Sequence, residues 1–178
     1  MAEYIPTLEK DSKEEMLDIV DKEGRVIGQA SRYECHRNRE LLHPVVHFTL
    51  MDMFSRKLLL SKRASTKIYN GSKNMFFGDH VRSGESLNMA IIRALDEELG
   101  LRTGSFLDIG KNIFEYDKQS ELATFYLVDY RGEVLNIDEE EIEEVFWIPL
   151  DKVKDYDDNV GDITKYWRDR IDWERIRC

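Results

Sequence analysis

The chain has 178 residues, of which 42% are hydrophobic and 11% aromatic, so it is long enough and apolar enough to form one compact domain with a core. Its formal net charge of -10 argues against nucleic acid polymers and anionic membranes as partners. It has only two cysteines, Cys35 and Cys178, and no long apolar run, which argues against a disulfide framework, a secretory signal and a membrane span; we expect a cytoplasmic protein.

Residues 1–14 are polar and have no clear periodicity, so we expect them to form a mobile N-terminal segment. The remainder, residues 15–178, is predicted to fold as a single domain. Toward its C-terminus aromatic residues alternate with charged residues, which predicts that the domain ends in a helix.

Apolar runs separated by turn-forming or charged segments predict β-strands along most of this domain. The predicted strands are residues 16–20, 25–28, 43–52, 58–60, 106–116, 122–130 and 145–148. The first two are joined by a turn that ends in Gly24 and should form a hairpin, and Pro149 stops the last. A short helix over residues 31–39 and a basic loop over residues 62–74 are also predicted.

Residues 86–99 carry apolar side chains at spacings of three and four, which predicts an amphipathic helix that ends at Gly100. Strands on both sides of one strong helix indicate an α+β sandwich. Arg93, Glu97 and Glu98 project to roughly one side of this helix.

Adjacent carboxylates repel each other, so they are tolerated on a wet surface or beside a cation, and their hard oxygen ligands suit Mg²⁺ or Mn²⁺. Glu85 precedes Arg93 by eight residues. The two side chains could form an ion pair that fixes the preceding loop to the helix.

Residues 78–101 resemble the signature of the Nudix hydrolases: a glycine, five residues, a glutamate, seven residues, Arg-Glu, an aliphatic residue, one residue, Glu-Glu, one residue, a glycine and an aliphatic residue. The matching residues, with no gap, are Glu85, Arg93, Leu95, Glu97, Glu98, Gly100 and Leu101. Two positions differ. The signature glycine is Asp79, although Gly78 precedes it, and the glutamate after the arginine is Ala94.

The resemblance implies the Nudix fold, an α/β/α sandwich around a mixed β-sheet, with Mg²⁺ or Mn²⁺ held against a small-molecule diphosphate substrate. The implied reaction is attack of water on a phosphoanhydride of a nucleoside diphosphate derivative or another organic diphosphate. The candidate catalytic residues are Glu97, Glu98 and Arg93. Glu85 joins Glu97 and Glu98 as a candidate metal ligand and also braces the loop with Arg93. Because Asp96 faces the far side of the helix, it cannot replace the missing glutamate at Ala94, which implies weaker or altered metal binding.

Further metal-ligand candidates come from a similarity to the type I isopentenyl diphosphate isomerases, which share the Nudix fold. The matching positions are His36, His43, His80 and Glu121. The isomerases also require a cysteine where this chain has Gly78, and a second acid where it has Gln119. Because proton transfer at carbon needs an acid and a base, the similarity favours an isomerase-like subgroup of hydrolases over an isomerase.

The basic residues Arg63, Lys67 and Lys73 are candidate contacts to substrate phosphates in an otherwise acidic chain. The acidic run 138–144 is expected mainly on a wet surface, with a smaller chance that one of its acids reaches the metal site. The aromatic residues Tyr166, Trp167 and Trp173 should cap the core, or form a homodimer contact if they are exposed.

A metal-dependent Nudix hydrolase is therefore the leading hypothesis for this chain. Isomerisation of a prenyl diphosphate is one alternative. A nucleotide-binding module that has kept the fold and lost the chemistry is another, suggested by Ala94 and Asp79.

Overall fold

The computed structural model describes residues 12–65, 73–173 and 175–176, which form nine β-strands and three α-helices. The strands are β1 (Met16–Val20), β2 (Val26–Ser31), β3 (Leu42–Asp52), β4 (Lys57–Arg63), β5 (Asn74–Met75), β6 (Phe77–His80), β7 (Phe106–Glu115), β8 (Ser120–Tyr130) and β9 (Ile142–Pro149). The helices are α1 (Arg32–Cys35), α2 (Leu87–Leu99) and α3 (Asp162–Arg170). Most of the predicted mobile segment, residues 1–11, lies outside the described residues.

Strand β3 is the centre of a seven-stranded mixed sheet. It pairs in parallel with β8 along its whole length, from Leu42 opposite Ser120 to Asp52 opposite Tyr130. Its other edge pairs antiparallel with β6 and then with β4. Strand β7 extends the sheet beyond β8, and both β5 and β9 pair with β4. The β1–β2 hairpin is a separate two-stranded sheet.

The two faces of the sheet are covered by different helices, because alternate residues of a strand point to opposite sides. Val46 and Phe48 of β3 belong to a buried cluster with Ile91 and Leu95 of α2. Val45 belongs to a second cluster on the other face, which includes Trp167 of α3. The predicted α/β/α sandwich around a mixed sheet is confirmed.

Several predicted elements have different bounds in the structure, and two of these differences lie next to the candidate site. Helix α1 ends at Cys35 rather than near residue 39; Ser31 and Glu34 form a capping box at its start, and His36 already leaves helical geometry. The predicted basic loop is partly strand, because Lys62 and Arg63 belong to β4 and pair with β9. The central part of that loop, residues 66–72, lies outside the described residues.

The aromatic residues near the C-terminus cap the core. Trp167 is 5% exposed and Trp173 is 1% exposed, and both pack in the cluster beneath α3. These two tryptophans are therefore packed within the chain and do not present an exposed dimer face. Within the described part of the chain, no helix combines the length and apolar character needed to cross a bilayer.

Asp18 joins the β1–β2 hairpin to the loop that precedes α2. Its buried carboxylate accepts hydrogen bonds from Ser83 Oγ (2.7 Å), from the Gly84 backbone N–H (3.0 Å) and from Gln29 Nε2 (3.2 Å). Burial alone would raise the pKa of Asp18, but the hydrogen bonds from Ser83, Gly84 and Gln29 lower it overall. The hairpin thus supports the loop through an ionised carboxylate, in addition to the hydrogen bond from the Ser83 backbone N–H to the Met16 carbonyl.

We expect Asp18→Asn to lower the free energy of unfolding by about 1–3 kcal/mol at neutral pH, because an amide nitrogen would face one of these donors. Since the folded pKa of Asp18 lies below its unfolded value, the stabilisation is present above the unfolded pKa and is lost as the pH falls through the folded pKa. The difference in the free energy of unfolding between wild type and variant should therefore decrease as the pH is lowered. Urea unfolding at several pH values measures this difference.

Asp117→Asn is the matched control, because Asp117 is exposed, and its effect should stay within about 0.5 kcal/mol. Equal losses in both variants would contradict the role assigned to Asp18.

Candidate metal and diphosphate site

Arg93 of α2 holds the loop after β6 against the helix. Its Nε and Nη2 atoms both donate to the carboxylate of Glu85, each at 2.9 Å, so the ion pair predicted from the spacing is present. Nη2 also donates to the backbone carbonyl of His80 at 2.7 Å, and Nη1 donates to Glu97 at 3.0 Å and to Asp79. The Asp79 that replaces the signature glycine thus becomes a further partner of Arg93.

Glu85 is engaged entirely in this brace. Besides the two bonds from Arg93, it accepts one from the Arg82 backbone N–H at 3.0 Å. Hydrogen bonds from Arg93 and Arg82 lower the pKa of Glu85 although burial raises it. The structure therefore gives Glu85 a positioning contact, and its role as a metal ligand stays a prediction.

The sequence of α2 determines which of its side chains are buried against the sheet and which face the site. Ser86 caps the first turn, and Gly100 ends the helix at φ 62°, the left-handed conformation that glycine adopts without strain. The apolar stripe of the helix is buried against the sheet, and it includes Ala94. Asp96 faces away and pairs with Arg102 at 3.1 Å, as the helical geometry predicts.

Glu98 lies in the most acidic part of the site. Burial raises the pKa of Glu98 well above its ordinary value, and the charges of Asp79, Glu141 and Asp138 raise it further, while Arg63 opposes them. Two of these acids, Asp138 and Glu141, come from the acidic run 138–144; both are partly exposed and line the cavity beside Glu98, which is the smaller of the two possibilities stated for that run. A carboxyl group in this position is stabilised either by a proton or by a cation.

The histidines form a second group on the opposite face of the sheet. His43 and Val45 point to the same side of β3, and His80 lies directly opposite Val45 on β6. Among the described residues, one set of three or more His, Cys, Asp or Glu side chains has ligand atoms all within 4.8 Å of one another: His36, His43 and His80.

The imidazole rings of His43 and His80 are held in the neutral form. Burial lowers the pKa of His43 to about 4 and that of His80 well below its ordinary value, and the charge of Arg32 lowers both further. His43 Nδ1 bonds to the Leu41 carbonyl at 3.0 Å and must therefore be the donor, which leaves a lone pair on Nε2. Within the described part of the chain this buried Nε2 has no hydrogen-bond partner.

This geometry fits a divalent cation. Three imidazoles converge, the unpaired Nε2 of His43 is buried among them, and a backbone carbonyl orients the His43 ring as is usual for metal-binding histidines. Imidazole is a softer donor than a carboxylate, so a transition metal such as Mn²⁺ suits this group better than Mg²⁺.

Glu121 lies beside the histidines, opposite His43 in the β3–β8 register. It accepts hydrogen bonds from Gln119 Nε2 at 2.8 Å and from Tyr116 Oη at 3.4 Å. Burial raises the pKa of Glu121 to about 7, although the Tyr116 bond and the charge of Arg32 lower it. Its carboxylate is not one of the ligand atoms that lie within 4.8 Å of one another, so its role as a fourth metal ligand stays a prediction.

A cavity of about 460 Å³ connects the two groups, since His36, His80 and Glu121 line one part of it and Glu97 and Glu98 another. The expected metal ligands thus lie on two faces of the sheet, and ligands from both faces line the same cavity.

Of the three predicted phosphate contacts, Arg63 lines this cavity, Lys67 lies outside the described residues, and Lys73 is absent from the cavity wall formed by the described residues. Arg32 also lines the cavity and was not predicted. Its position four residues before His36, within the helix predicted over residues 31–39, is a signal that could have indicated it.

The comparisons with known proteins agree with this arrangement. The family model described as the NUDIX domain matches residues 41–166. An uncharacterized Nudix hydrolase from Streptomyces coelicolor is 33% identical over 138 residues, which cover 76% of this chain and 74% of that protein. Isopentenyl-diphosphate Delta-isomerase 2 from Photorhabdus laumondii is 28% identical, with 92% of this chain and 99% of that protein covered.

The fold is also found among solved structures. The crystal structure of DR0079 from Deinococcus radiodurans superposes with a TM-score of 0.68 at 21% identity, covering 86% of this chain and 98% of that one. The signature loop and helix, the mixed sheet between two helices and the match of the family model all lead to the same assignment: the chain belongs to the Nudix hydrolase family.

Proposed function

We propose that this protein hydrolyses a phosphoanhydride bond in a nucleoside diphosphate derivative or another organic diphosphate, and that it does so with Mg²⁺ or Mn²⁺. The observation that carries the proposal is the cavity that is lined both by Glu97 and Glu98 of α2 and by two members of the histidine group, His36 and His80. Family membership supports the reaction class. It leaves the substrate open.

The residues divide into three roles in this proposal. Glu97 and Glu98 hold metal on one side of the cavity, and His36, His43, His80 and Glu121 hold metal on the other. The bound cation neutralises charge on the phosphate oxygens and supplies an activated water. Arg63 and Arg32 attract the anionic substrate into an acidic protein. Arg93 orients Glu97 and the loop.

A homodimer and a cytoplasmic location stay predictions of the sequence. Both can be checked on the purified protein and in fractionated cells.

The proposal is tested by a panel of nucleoside triphosphates, dinucleotides, nucleotide sugars and prenyl diphosphates, read by phosphate release with Mg²⁺ and with Mn²⁺. We expect turnover of at least one member, loss of turnover with a chelator, and a loss of at least about a hundredfold in Glu98→Gln, since a ligand to the charge-neutralising cation is removed. Circular dichroism and the unfolding midpoint should show that this variant remains folded.

The matched control is Asp96→Asn, a neutralised carboxylate two residues away on the outer face of the same helix, which should keep its activity. An unchanged rate in Glu98→Gln would refute the assignment of Glu98 to the metal. Nucleotide affinity by calorimetry without any turnover would favour the binding module over the enzyme.

The division of the ligands predicts two separable metal positions. In crystals soaked with Mn²⁺, we expect one anomalous peak among His36, His43 and His80 and another beside Glu97 and Glu98. His80→Ala should remove the first peak and leave the second, because the two groups lie on opposite faces of the sheet. A map in which this variant loses neither peak, or both, would contradict two independent groups.

Isopentenyl diphosphate isomerisation is the second candidate, favoured by the three histidines with Glu121 and by the similarity to a protein of that name. Position 78, where the isomerases carry a cysteine, is a glycine. A Cβ added at this position would lie 2.8 Å from His47 Cδ2. Position 119 carries an amide, which cannot serve as an acid or a base.

We therefore expect no deuterium in isopentenyl diphosphate after incubation with the protein and Mg²⁺ or Mn²⁺ in D₂O, as measured by mass spectrometry. Deuterium incorporation above a protein-free control would make isomerisation the activity.

A further inference from the structure

His47 is the one histidine that stands outside the candidate metal ligands. It lies on the same face of β3 as His43, is 7% exposed, and lines the cavity. Its ring lies 5.8 Å from the ring of Phe114 and 6.4 Å from that of Trp167, measured between centroids. The described residues include no hydrogen-bond partner for its Nε2 atom.

The protonation state of His47 is fixed by Trp167 of α3. Trp167 Nε1 donates a hydrogen bond to His47 Nδ1 at 3.0 Å. An indole N–H can only donate, so Nδ1 must be the acceptor, and the neutral ring carries its proton on Nε2. Burial lowers the pKa of His47 to about 4, so the ring is neutral in the physiological range. His47 therefore offers an uncharged N–H donor.

Gly78 makes the room that this ring occupies. Gly78 lies directly opposite His47 in the β3–β6 ladder, and it also lines the cavity. A Cβ at position 78 would lie 2.8 Å from His47 Cδ2 and 3.5 Å from Nε2, so the Cδ2–Nε2 edge of the ring passes over the glycine. Because Gly78 does not have a positive φ, the backbone does not require glycine there; the space does.

The ring of His47 packs against aromatic rings, and Phe76 and Ile163 line the same cavity. The charged residues Arg32 and Glu121 also line it, and the acids Glu97 and Glu98 line the part on the opposite face of the sheet. A hydrocarbon group placed against His47 would leave the N–H without a partner, which is unfavourable in a buried site, whereas a group with an acceptor would satisfy it.

We propose that His47 is a specificity-determining residue: its Nε2–H donates to an acceptor on the organic group of the substrate, and thereby favours polar groups over prenyl chains beside the diphosphate. Trp167 fixes the tautomer of His47, and the absence of a side chain at Gly78 leaves space for its ring. This inference rests on the proposed function for the identity of the diphosphate, although it concerns only the group attached to it.

The test measures binding rather than turnover. The ligands are α,β-methylene-ADP, methylenediphosphonate, which has no organic group, and the methylene analogue of geranyl diphosphate; their bridging carbon prevents hydrolysis. Affinities are determined by titration calorimetry with Mg²⁺ for wild type and for three variants, His47→Phe, His47→Gln and Gly78→Ala.

We expect His47→Phe to weaken the binding of α,β-methylene-ADP by about tenfold, the usual effect of losing one buried hydrogen bond, and to leave methylenediphosphonate unchanged. The geranyl analogue should bind as well as before or better. His47→Gln, which keeps an N–H close to the position of Nε2, should restore much of the selectivity. Gly78→Ala should reproduce the loss by displacing the ring, and should add nothing further in the His47→Phe background.

Equal losses for α,β-methylene-ADP and methylenediphosphonate would overturn the proposal, because His47 would then act on the diphosphate or on the metal. Unchanged selectivity in Gly78→Ala and in a folded His47→Phe protein would also overturn it. The two proposals fail separately. Selective binding without any hydrolysis in the substrate panel would refute the proposed enzyme activity and support the role of His47 in specificity. Hydrolysis without a selective effect of His47 would support the enzyme activity and refute the role of His47.

Discussion

The guanidinium group of Arg93 is the contact on which both halves of the site depend. It bonds to Glu85 and Asp79 in the loop and strand before α2, to Glu97 one turn along the helix, and to the backbone carbonyl of His80. A planar group with five donors can tie these elements together in one geometry, which a lysine could not do. Fixing the His80 backbone also fixes its ring among the histidines on the other face.

The pleat of the sheet explains why the candidate ligands form two groups. Asp79 and His80 are neighbours in β6, so one points toward α2 and the other toward α3. The same alternation along β3 separates the α2-facing Val46 from His43 and His47. A cavity at the end of these strands is open to both faces, so groups on different sides of the sheet can act on the two ends of one substrate.

Local patterns predicted the elements better than the site. The hairpin, α2 with its cap at Gly100 and the long strands follow from turn residues and apolar periodicity, and the Glu85–Arg93 pair follows from spacing. The register of β3 against β6 and β8 is set by tertiary packing, so local patterns could not show that His43, His80 and Glu121 lie on neighbouring strands; only the similarity to the isomerases grouped them. Likewise, Trp167 is 120 residues from His47, and no local signal links them.

The charges around Glu98 explain why an alanine at position 94 is compatible with the site. Ala94 is fully buried in the core one turn before Glu98, and Glu98 already faces Asp79, Asp138 and Glu141 with Arg63 as the opposing charge. A third helical carboxylate would add like-charge repulsion to a group that is already difficult to ionise. In the proposed enzyme, imidazole ligands would instead leave the charge of a cation available for an anionic substrate. In a chain with a net charge of -10, such ligands would add no further repulsion toward a diphosphate.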